Sequence, residues 1–231
     1  SKEISSFSNL KSPSIKLKRR REFFIKELED LTFDASRHNI SIKTIELSKK
    51  LFQEMKTNQF LEAMWSGKVV NITENRQALH PALRGSRDSF FPKDIMNEVS
   101  KQKKHMLKIA EGVRNGNIKS HSGKKYTSVL AIGIGGSDLG PRMSVKALTP
   151  FKSNIDVRFV SNIDPSDLIN ETADLDPSKT LIIVSSKTFT TVETLANAKA
   201  AFNWLAKNIG EIGAKNQQYA LTSNFDHAKK F

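Results

Sequence analysis

The sequence predicts an α/β fold, a doubly wound parallel sheet in three αβα layers, which follows a helical extension. Short runs rich in apolar residues at 129–132, 156–160 and 180–184 predict buried strands, and 219–221 predicts one more. Segments with helical spacing separate these runs. Alternation of strands with helices from about residue 127 to 222 is typical of βαβ units, which build parallel sheets.

The sequence before the sheet predicts an arm and three helices. Residues 1–16 are rich in Ser and Lys and are expected to form a flexible arm. Apolar residues at helical spacing predict helices over 17–31, 43–56 and 94–111. Glycines and asparagines then predict a linker. We therefore divide the chain into the arm (1–16), a helical extension (17–111), a linker (112–126) and an incomplete α/β domain (127–231).

A glycine-rich turn follows the first predicted strand of the sheet. Residues 133–141 read GIGGSDLGP, which predicts a turn that leads into a helix. Such a turn exposes backbone N–H groups and aims a helix N-terminus at a ligand, a geometry that suits anions and phosphates above all. A tight strand-to-helix turn without a ligand explains the same residues, so this motif alone leaves both interpretations open.

A hydroxyl-rich turn follows the strand at 180–184. Residues 185–191 read SSKTFTT, and the apolar residues behind them share one helical face. Thr190 and Glu193 have the spacing of a capping box, which predicts that the helix begins there. Hydroxyls and N–H groups donate to phosphate oxygens, and Lys187 adds charge. Capping alone accounts for Thr190 but not for the other hydroxyls, so the pattern favours a phosphate site.

Both turns leave the carboxyl ends of predicted strands, where neighbouring loops of a doubly wound sheet face each other. We therefore expect Ser137 and the hydroxyls at 186–191 to converge on one phosphate group. The loop between them spans 161–168, where Asp164 or Ser166 is expected to cap the next helix, with Pro165 in its first turn.

Four segments together resemble the glucose-6-phosphate isomerase family. Residues 133–141 and 186–195 are similar to its two signature segments, and 161–164 resembles the stretch between them. Residues 71–84 resemble a further family segment, which the resemblance places on a helical hairpin. The four segments occur in the family's order, so the set is specific where one glycine turn would be weak.

The resemblance implies a sugar-phosphate ligand and an aldose–ketose interconversion of glucose 6-phosphate and fructose 6-phosphate, in glycolysis and gluconeogenesis. A carboxylate base would move a proton between adjacent carbons through an enediol. The resemblance implies no cofactor, no metal and a homodimer for the complete enzyme. The substrate-binding residues that it implies are Gly136, Ser137, Ser186, Lys187, Thr188, Phe189, Thr190 and Thr191.

The resemblance also implies that the catalytic residues lie outside this chain. In the family, the catalytic glutamate, the ring-opening histidine, an arginine and a late lysine follow the point that matches Phe231. We therefore expect an amino-terminal portion of an isomerase, with an incomplete first sugar isomerase domain and no catalytic residue of its own. Glu193, the nearest carboxylate, is better explained by helix capping.

Composition restricts the possible locations and partners. The 231 residues include no cysteine, which excludes a disulfide framework. No apolar stretch approaches membrane-spanning length and no signal-peptide pattern opens the chain, so we expect a cytoplasmic protein without a membrane partner.

The net charge of +13 permits a second class of function, a basic nucleic-acid-binding module. Apolar residues at helical spacing run through and beyond the basic run at 16–21, however, with acidic residues between them, which a solvated helix face explains. The segment also has no aromatic interleaving of the kind that stacks bases. We therefore expect no nucleic-acid partner, and positive charge would steer anionic sugar phosphates. A third class, a non-catalytic sugar-phosphate-binding regulator with the same domain, stays open, although the segment at 71–84 speaks against it.

Overall fold

The computed structural model describes residues 15–85, 91–151 and 154–231. The chain divides into two units, Ser1–Val99 and Ser100–Phe231. Almost all of the predicted arm, residues 1–14, lies outside the described residues.

The first unit begins with a helix that is shorter than the sequence predicts. Helix α1 spans Ile15–Phe24, and the strands β1 (Ile25–Leu28) and β2 (Leu31–Asp34) then pair as an antiparallel hairpin. The prediction of one helix over 17–31 is therefore wrong after Phe24. Glu29 has a φ of +48° and reverses the chain, which a continuing helix does not allow.

Two helices follow in the first unit. Helix α2 spans Ile42–Glu54, which confirms the helix predicted over 43–56. A capping box starts it, because the Ser41 hydroxyl accepts from the Thr44 N–H and the Thr44 hydroxyl accepts from the Ser41 N–H. Helix α3 spans Thr57–Trp65 and begins after Lys56, which adopts a left-handed conformation that separates the two helices.

The segment at 71–84 is not the helical hairpin that the family resemblance implied. It forms the short antiparallel strands β3 (Val69–Asn71) and β4 (Arg76–Gln77), followed by turns. The Asn71 side chain accepts from the Thr73 hydroxyl and the Glu74 N–H. These local bonds stabilise a turn in competition with a helix, so this expectation is wrong.

Helix α4 spans Lys93–Asn115 and confirms the helix predicted over 94–111. It continues through the first four residues of the predicted linker and ends before Gly116, whose φ is +75°. The predicted linker and domain boundaries stay predictions. None of the helices within the described ranges is long and apolar enough to cross a bilayer.

The second unit contains a four-stranded parallel sheet flanked by helices, which confirms the predicted α/β fold. The strands lie in the order β6-β5-β7-β8 and all pairs are parallel. The 3₁₀ turns Thr149–Phe151 and Pro177–Lys179 precede β6 and β7. The strands and the helices that follow them are β5 (Ser128–Ile132), α5 (Gly136–Ala147), β6 (Asp156–Val160), α6 (Pro165–Thr172), β7 (Thr180–Ser185), α7 (Val192–Asn216), β8 (Gln218–Leu221) and α8 (Phe225–Lys230).

Both faces of the sheet are buried. Alternate residues of β5 and β7, Leu130 and Ile182 among them, pack with Ala198 and Leu205 of α7 in one apolar cluster. The intervening residues, among them Leu181, pack in a second cluster that includes the α4 side chains. Burial on both faces explains why these strands read as continuous apolar runs instead of alternating ones.

Gln217 ties together the edge of the sheet at which the parallel strands begin. Its side chain is fully buried. Its Nε2 donates to the carbonyls of Pro177 (2.9 Å) and Thr180 (2.8 Å), and its Oε1 accepts from the His121 N–H (3.1 Å). One amide thereby makes three hydrogen bonds to the backbone and joins the segment before β5 to the start of β7.

We expect Gln217→Ala to lower the free energy of unfolding by about 3 kcal/mol, because it empties a fully buried position and removes three side-chain hydrogen bonds. Urea titration followed by circular dichroism measures this change. The matched control is Asn203→Ala at an exposed position of α7, which should stay within about 0.5 kcal/mol of the wild type. Equal stability of the two variants would contradict the assignment.

Candidate functional site

The carboxyl ends of three strands lie level at one edge of the sheet. Ile132, the last residue of β5, is paired with Val160 of β6 on one side and Val184 of β7 on the other. The chain passes from β5 to β6 and then crosses back to β7, so the direction of winding reverses at β5. Ligands of doubly wound sheets bind at such a switch point.

The glycine turn after β5 presents open backbone. Gly135 has a φ of +58°, and a Cβ atom built on Gly135 or Gly136 would meet nothing within 4 Å. Gly133 is required for a different reason, since a Cβ there would lie 2.8 Å from the Ser137 carbonyl oxygen. Helix α5 begins at Gly136 without a side-chain cap. Backbone carbonyls close its first turn instead, because the Ser137 N–H donates to Ile134 (3.2 Å) and the Asp138 N–H to Gly135 (3.0 Å).

An ion pair between a buried carboxylate and a half-buried arginine connects this turn to the end of β6. The Asp138 carboxylate is 5% exposed and accepts from Arg142 Nε at 3.0 and 3.2 Å. Arg142 Nη2 also donates to the Phe159 carbonyl (3.3 Å) and the Ser161 hydroxyl (3.2 Å). Sequence reasoning missed this pair, although its i,i+4 spacing on a predicted helix was a usable signal.

The loop after β6 is held by side chains from two helices. The Asp167 carboxylate accepts from the N–H groups of Ser161 and Asn162, both at 2.9 Å. The buried Asn197 side chain on α7 donates to the Asn162 carbonyl at 2.8 Å. Sequence reasoning missed both residues, and Asn197 carried no sequence signal because its partner lies 35 residues away.

Asp164 caps helix α6, with Pro165 at the first position, as predicted. Hydrogen bonds from the side chain and the N–H of Ser166 hold the pKa of Asp164 below its usual value. This carboxylate is therefore fixed as an anion at the start of the helix.

The loop after β7 brings four of its hydroxyls together in two pairs. Ser186 is 4% exposed. Its hydroxyl accepts from the Phe189 N–H at 3.2 Å and lies 3.4 Å from the Thr191 hydroxyl. The Thr188 and Thr190 hydroxyls share a hydrogen bond of 2.6 Å at an exposed position. Ser186 therefore shapes the loop, whereas the threonines line its outer side.

Helix α7 begins one residue later than the sequence predicts. Its N-cap is Thr191, and the Thr191 side chain makes no capping hydrogen bond. The predicted capping box of Thr190 with Glu193 is therefore wrong, because the Thr190 hydroxyl is bonded to Thr188 instead. The first N–H groups of α7 are left for another acceptor.

Phe189 anchors the loop from below. Its ring is buried in the core cluster and contacts the Phe231 ring at a centroid distance of 5.7 Å. Its φ of +55° is unusual for a bulky residue, so the surroundings must support the backbone strain. Of the predicted binding residues, Gly136, Lys187, Thr188 and Thr190 are exposed, whereas Phe189 is buried and contributes by position.

The chain is similar to a family of known proteins over most of its length. The family model "Phosphoglucose isomerase" matches residues 34–231. The chain belongs to the phosphoglucose isomerase family. The family resemblance that the sequence segments indicated is thereby confirmed.

Individual members of the phosphoglucose isomerase family match over most of the chain. The glucose-6-phosphate isomerase of Frankia casuarinae is 42% identical over 217 residues, which are 92% of this chain and 39% of that protein. The glucose-6-phosphate isomerase of Bartonella bacilliformis is 39% identical over 88% of this chain and 38% of its own length. This chain therefore spans about two fifths of the curated relatives that it matches.

A solved phosphoglucose isomerase shares the fold. The crystal structure of a glucose-6-phosphate isomerase from Chlamydia trachomatis superposes with a TM-score of 0.72 at 25% identity. The match covers 96% of this chain and 44% of that chain. The four-stranded parallel sheet with its flanking helices is therefore part of a phosphoglucose isomerase architecture.

We expect Asp138→Ala to lower the free energy of unfolding by about 2–3 kcal/mol, because it removes a buried carboxylate and the counter-ion of the half-buried Arg142. The matched control is Asp156→Ala, which breaks the exposed pair between Asp156 and Arg158 and should cost less than about 1 kcal/mol. Chemical denaturation measures both variants. A larger loss in the control would show that Asp138 is not the structural tie inferred from its burial.

Proposed function

We propose that this chain supplies the sugar-phosphate-binding part of a glucose-6-phosphate isomerase that interconverts glucose 6-phosphate and fructose 6-phosphate in glycolysis and gluconeogenesis. The observation that carries the proposal is the uncapped start of α7 directly behind the hydroxyl-rich loop. Thr191 stands at this start with a hydroxyl that makes no capping bond. An anion placed there accepts from the N–H groups of the first turn and from the hydroxyls beside them.

The glycine turn after β5 supports the same site. Its strand is the direct neighbour of β7, and Ile132 and Val184 are level in the ladder. Exposed backbone at Gly135 and Gly136 allows a ligand to approach closely, and Ser137 adds a hydroxyl. The proposed site thus combines the N-terminus of α7 and the hydroxyls of the two turns with the charge of Lys187, a donor set that suits a phosphate dianion.

The proposed reaction needs a carboxylate base that this chain is not expected to supply. Among the described residues beside the three loops, Asp138 is bonded to Arg142, and Asp167 is bonded to the N–H groups of Ser161 and Asn162. Glu193 is exposed in the first turn of α7. The base, the ring-opening histidine and the remaining cations are therefore proposed to lie in the part of the relatives that this chain does not span.

The first unit favours an enzyme over a non-catalytic regulator. The family match begins at residue 34 and so includes most of the first unit as well as the sheet. A regulator that uses only the sugar isomerase domain would not need those residues. The proposal implies a cytoplasmic location and, for the complete enzyme, a homodimer, which size-exclusion chromatography with light scattering would measure.

We expect Thr191→Val to weaken the binding of glucose 6-phosphate and of inorganic phosphate by about tenfold or more, because a hydrogen bond to a charged group is lost without a change of shape. Isothermal titration calorimetry of the 231-residue chain measures the affinity. Thr149→Val, at the opposite end of α5, is the matched control and should bind like the wild type. Unchanged affinity in Thr191→Val would mean that this hydroxyl is not a phosphate ligand.

We expect the purified 231-residue chain to show no isomerase turnover, since the base and ring-opening groups are proposed to lie outside it. A coupled dehydrogenase assay that detects glucose 6-phosphate formed from fructose 6-phosphate tests this. The chain should be expressed in a host that lacks its own isomerase, with a mock purification as the control. Turnover that survives these precautions would refute the proposed division of the active site.

A further inference from the structure

The segment directly after β8 holds the hydroxyl-rich loop by its backbone. The Lys187 carbonyl accepts three hydrogen bonds, from the Ser223 N–H (3.1 Å), the Ser223 hydroxyl (2.8 Å) and the Thr222 hydroxyl (3.1 Å). The next carbonyl, of Thr188, accepts from Asn224 Nδ2 at 3.1 Å. We name residues 222–224 the clamp segment.

The clamp segment extends the strand pairing beyond the end of the sheet. The last ladder contact on this side is the Ser186 N–H, which donates to the Leu221 carbonyl at 3.0 Å. Beyond the end of β8, side chains of the clamp segment donate to the loop carbonyls in place of strand pairing. The clamp is itself ordered, because the Thr222 hydroxyl accepts from the Asn224 N–H at 3.0 Å.

The contacts fix the direction of a backbone donor. No cis peptide bond occurs among the described residues, so the Thr188 N–H points opposite to the Lys187 carbonyl. The carbonyl faces the side of β8, and β5 flanks β7 on the other side. The Thr188 N–H is therefore aimed toward the side of the glycine turn. Within the described stretches of the chain, this N–H has no protein acceptor.

The next peptide, between Thr188 and Phe189, also has its carbonyl and its N–H on opposite sides. The Thr188 carbonyl faces the clamp, and the Phe189 N–H on the opposite side reaches the Ser186 hydroxyl at 3.2 Å. The buried Phe189 ring holds the loop from below, and its positive φ needs such support from the surroundings. The loop is thus restrained at both carbonyls and at one ring, while one amide is left to face outward.

We infer that the clamp segment is a positioning element that sets the phosphate affinity of the loop by aiming the Thr188 amide at the anion. This inference rests on the proposed function for the identity of the anion. The Thr222 and Ser223 hydroxyls act through the loop, since both donate to the Lys187 carbonyl. A restrained donor binds an anion more tightly because the loop loses less conformational entropy on binding.

The first arm of the test needs no ligand. The double variant Thr222→Val with Ser223→Ala removes both hydroxyl donors and keeps the Ser223 N–H. We expect hydrogen exchange at the Phe189 amide to become about tenfold faster, while the core amides of β5 keep their protection. The single variant Ser223→Thr keeps a hydroxyl at position 223, and its Phe189 amide should exchange as slowly as in the wild type. Ser178→Ala, whose hydroxyl bonds Asp176 before β7, is the matched control.

The second arm measures binding of glucose 6-phosphate and inorganic phosphate by calorimetry and by the shift of the Thr188 amide signal in NMR spectra. We expect about tenfold weaker binding in the double variant, near wild-type binding in Ser223→Thr, and a Thr188 shift on binding to the wild type. Asn224 is left unchanged because it also caps α8 by accepting from the His227 N–H.

The two arms separate the possible failures. If the wild-type chain binds neither ligand, the proposed function is wrong, and the clamp segment has no role in phosphate affinity. If the wild type binds but the double variant binds equally well, only the inference is overturned. Unchanged exchange at Phe189 in the double variant would likewise overturn the clamp, whatever the ligand result.

Discussion

The level pairing of β5 with β7 is the constraint on which the candidate site depends. Five consecutive residue pairs, from Ser128 with Thr180 to Ile132 with Val184, bring the two strands to the same edge. Side chains alternate between two buried faces, so a slip of one residue would exchange the two apolar clusters as well as separate the loops. The packing of the core therefore also fixes the relative height of the glycine turn and the hydroxyl-rich loop.

Polar side chains at both edges of the sheet complete backbone bonding that the strands leave open. At the edge where the strands begin, Gln217 satisfies two carbonyls and one N–H. At the edge where they end, Asp167 satisfies two amides and the clamp segment satisfies two carbonyls. Loops held in this way need no regular structure to be rigid, which is the property that a preorganised binding site requires.

The sequence predicted the parts of the fold that rest on local pattern. Apolar runs located β5 and β7, and helical spacing located α2 and α4. It failed at residues 25–34, because Leu28 and Leu31 have helical spacing yet are 67% and 73% exposed in a hairpin that turns at Glu29. At the site it located the loops but not their supports, since Ser223 and Asn197 resemble ordinary turn and helix residues and their partners lie 35 or more residues away.

Three carboxylates around the loops hydrogen-bond to neighbouring backbone or side-chain groups, so their role is to hold the loops and not to transfer protons. A base that removes a proton from carbon works best when its pKa lies near the working pH. Asp164 has a pKa held below its usual value by Ser166, which makes it a weaker base. Asp138 is buried against a guanidinium, and Asp167 accepts from two amides. These described carboxylates hold the loops in place. Under the proposed function, these loops bind the charged, non-reacting end of a sugar phosphate. Binding energy gained there is shared by substrate and transition state, so it raises affinity more than turnover.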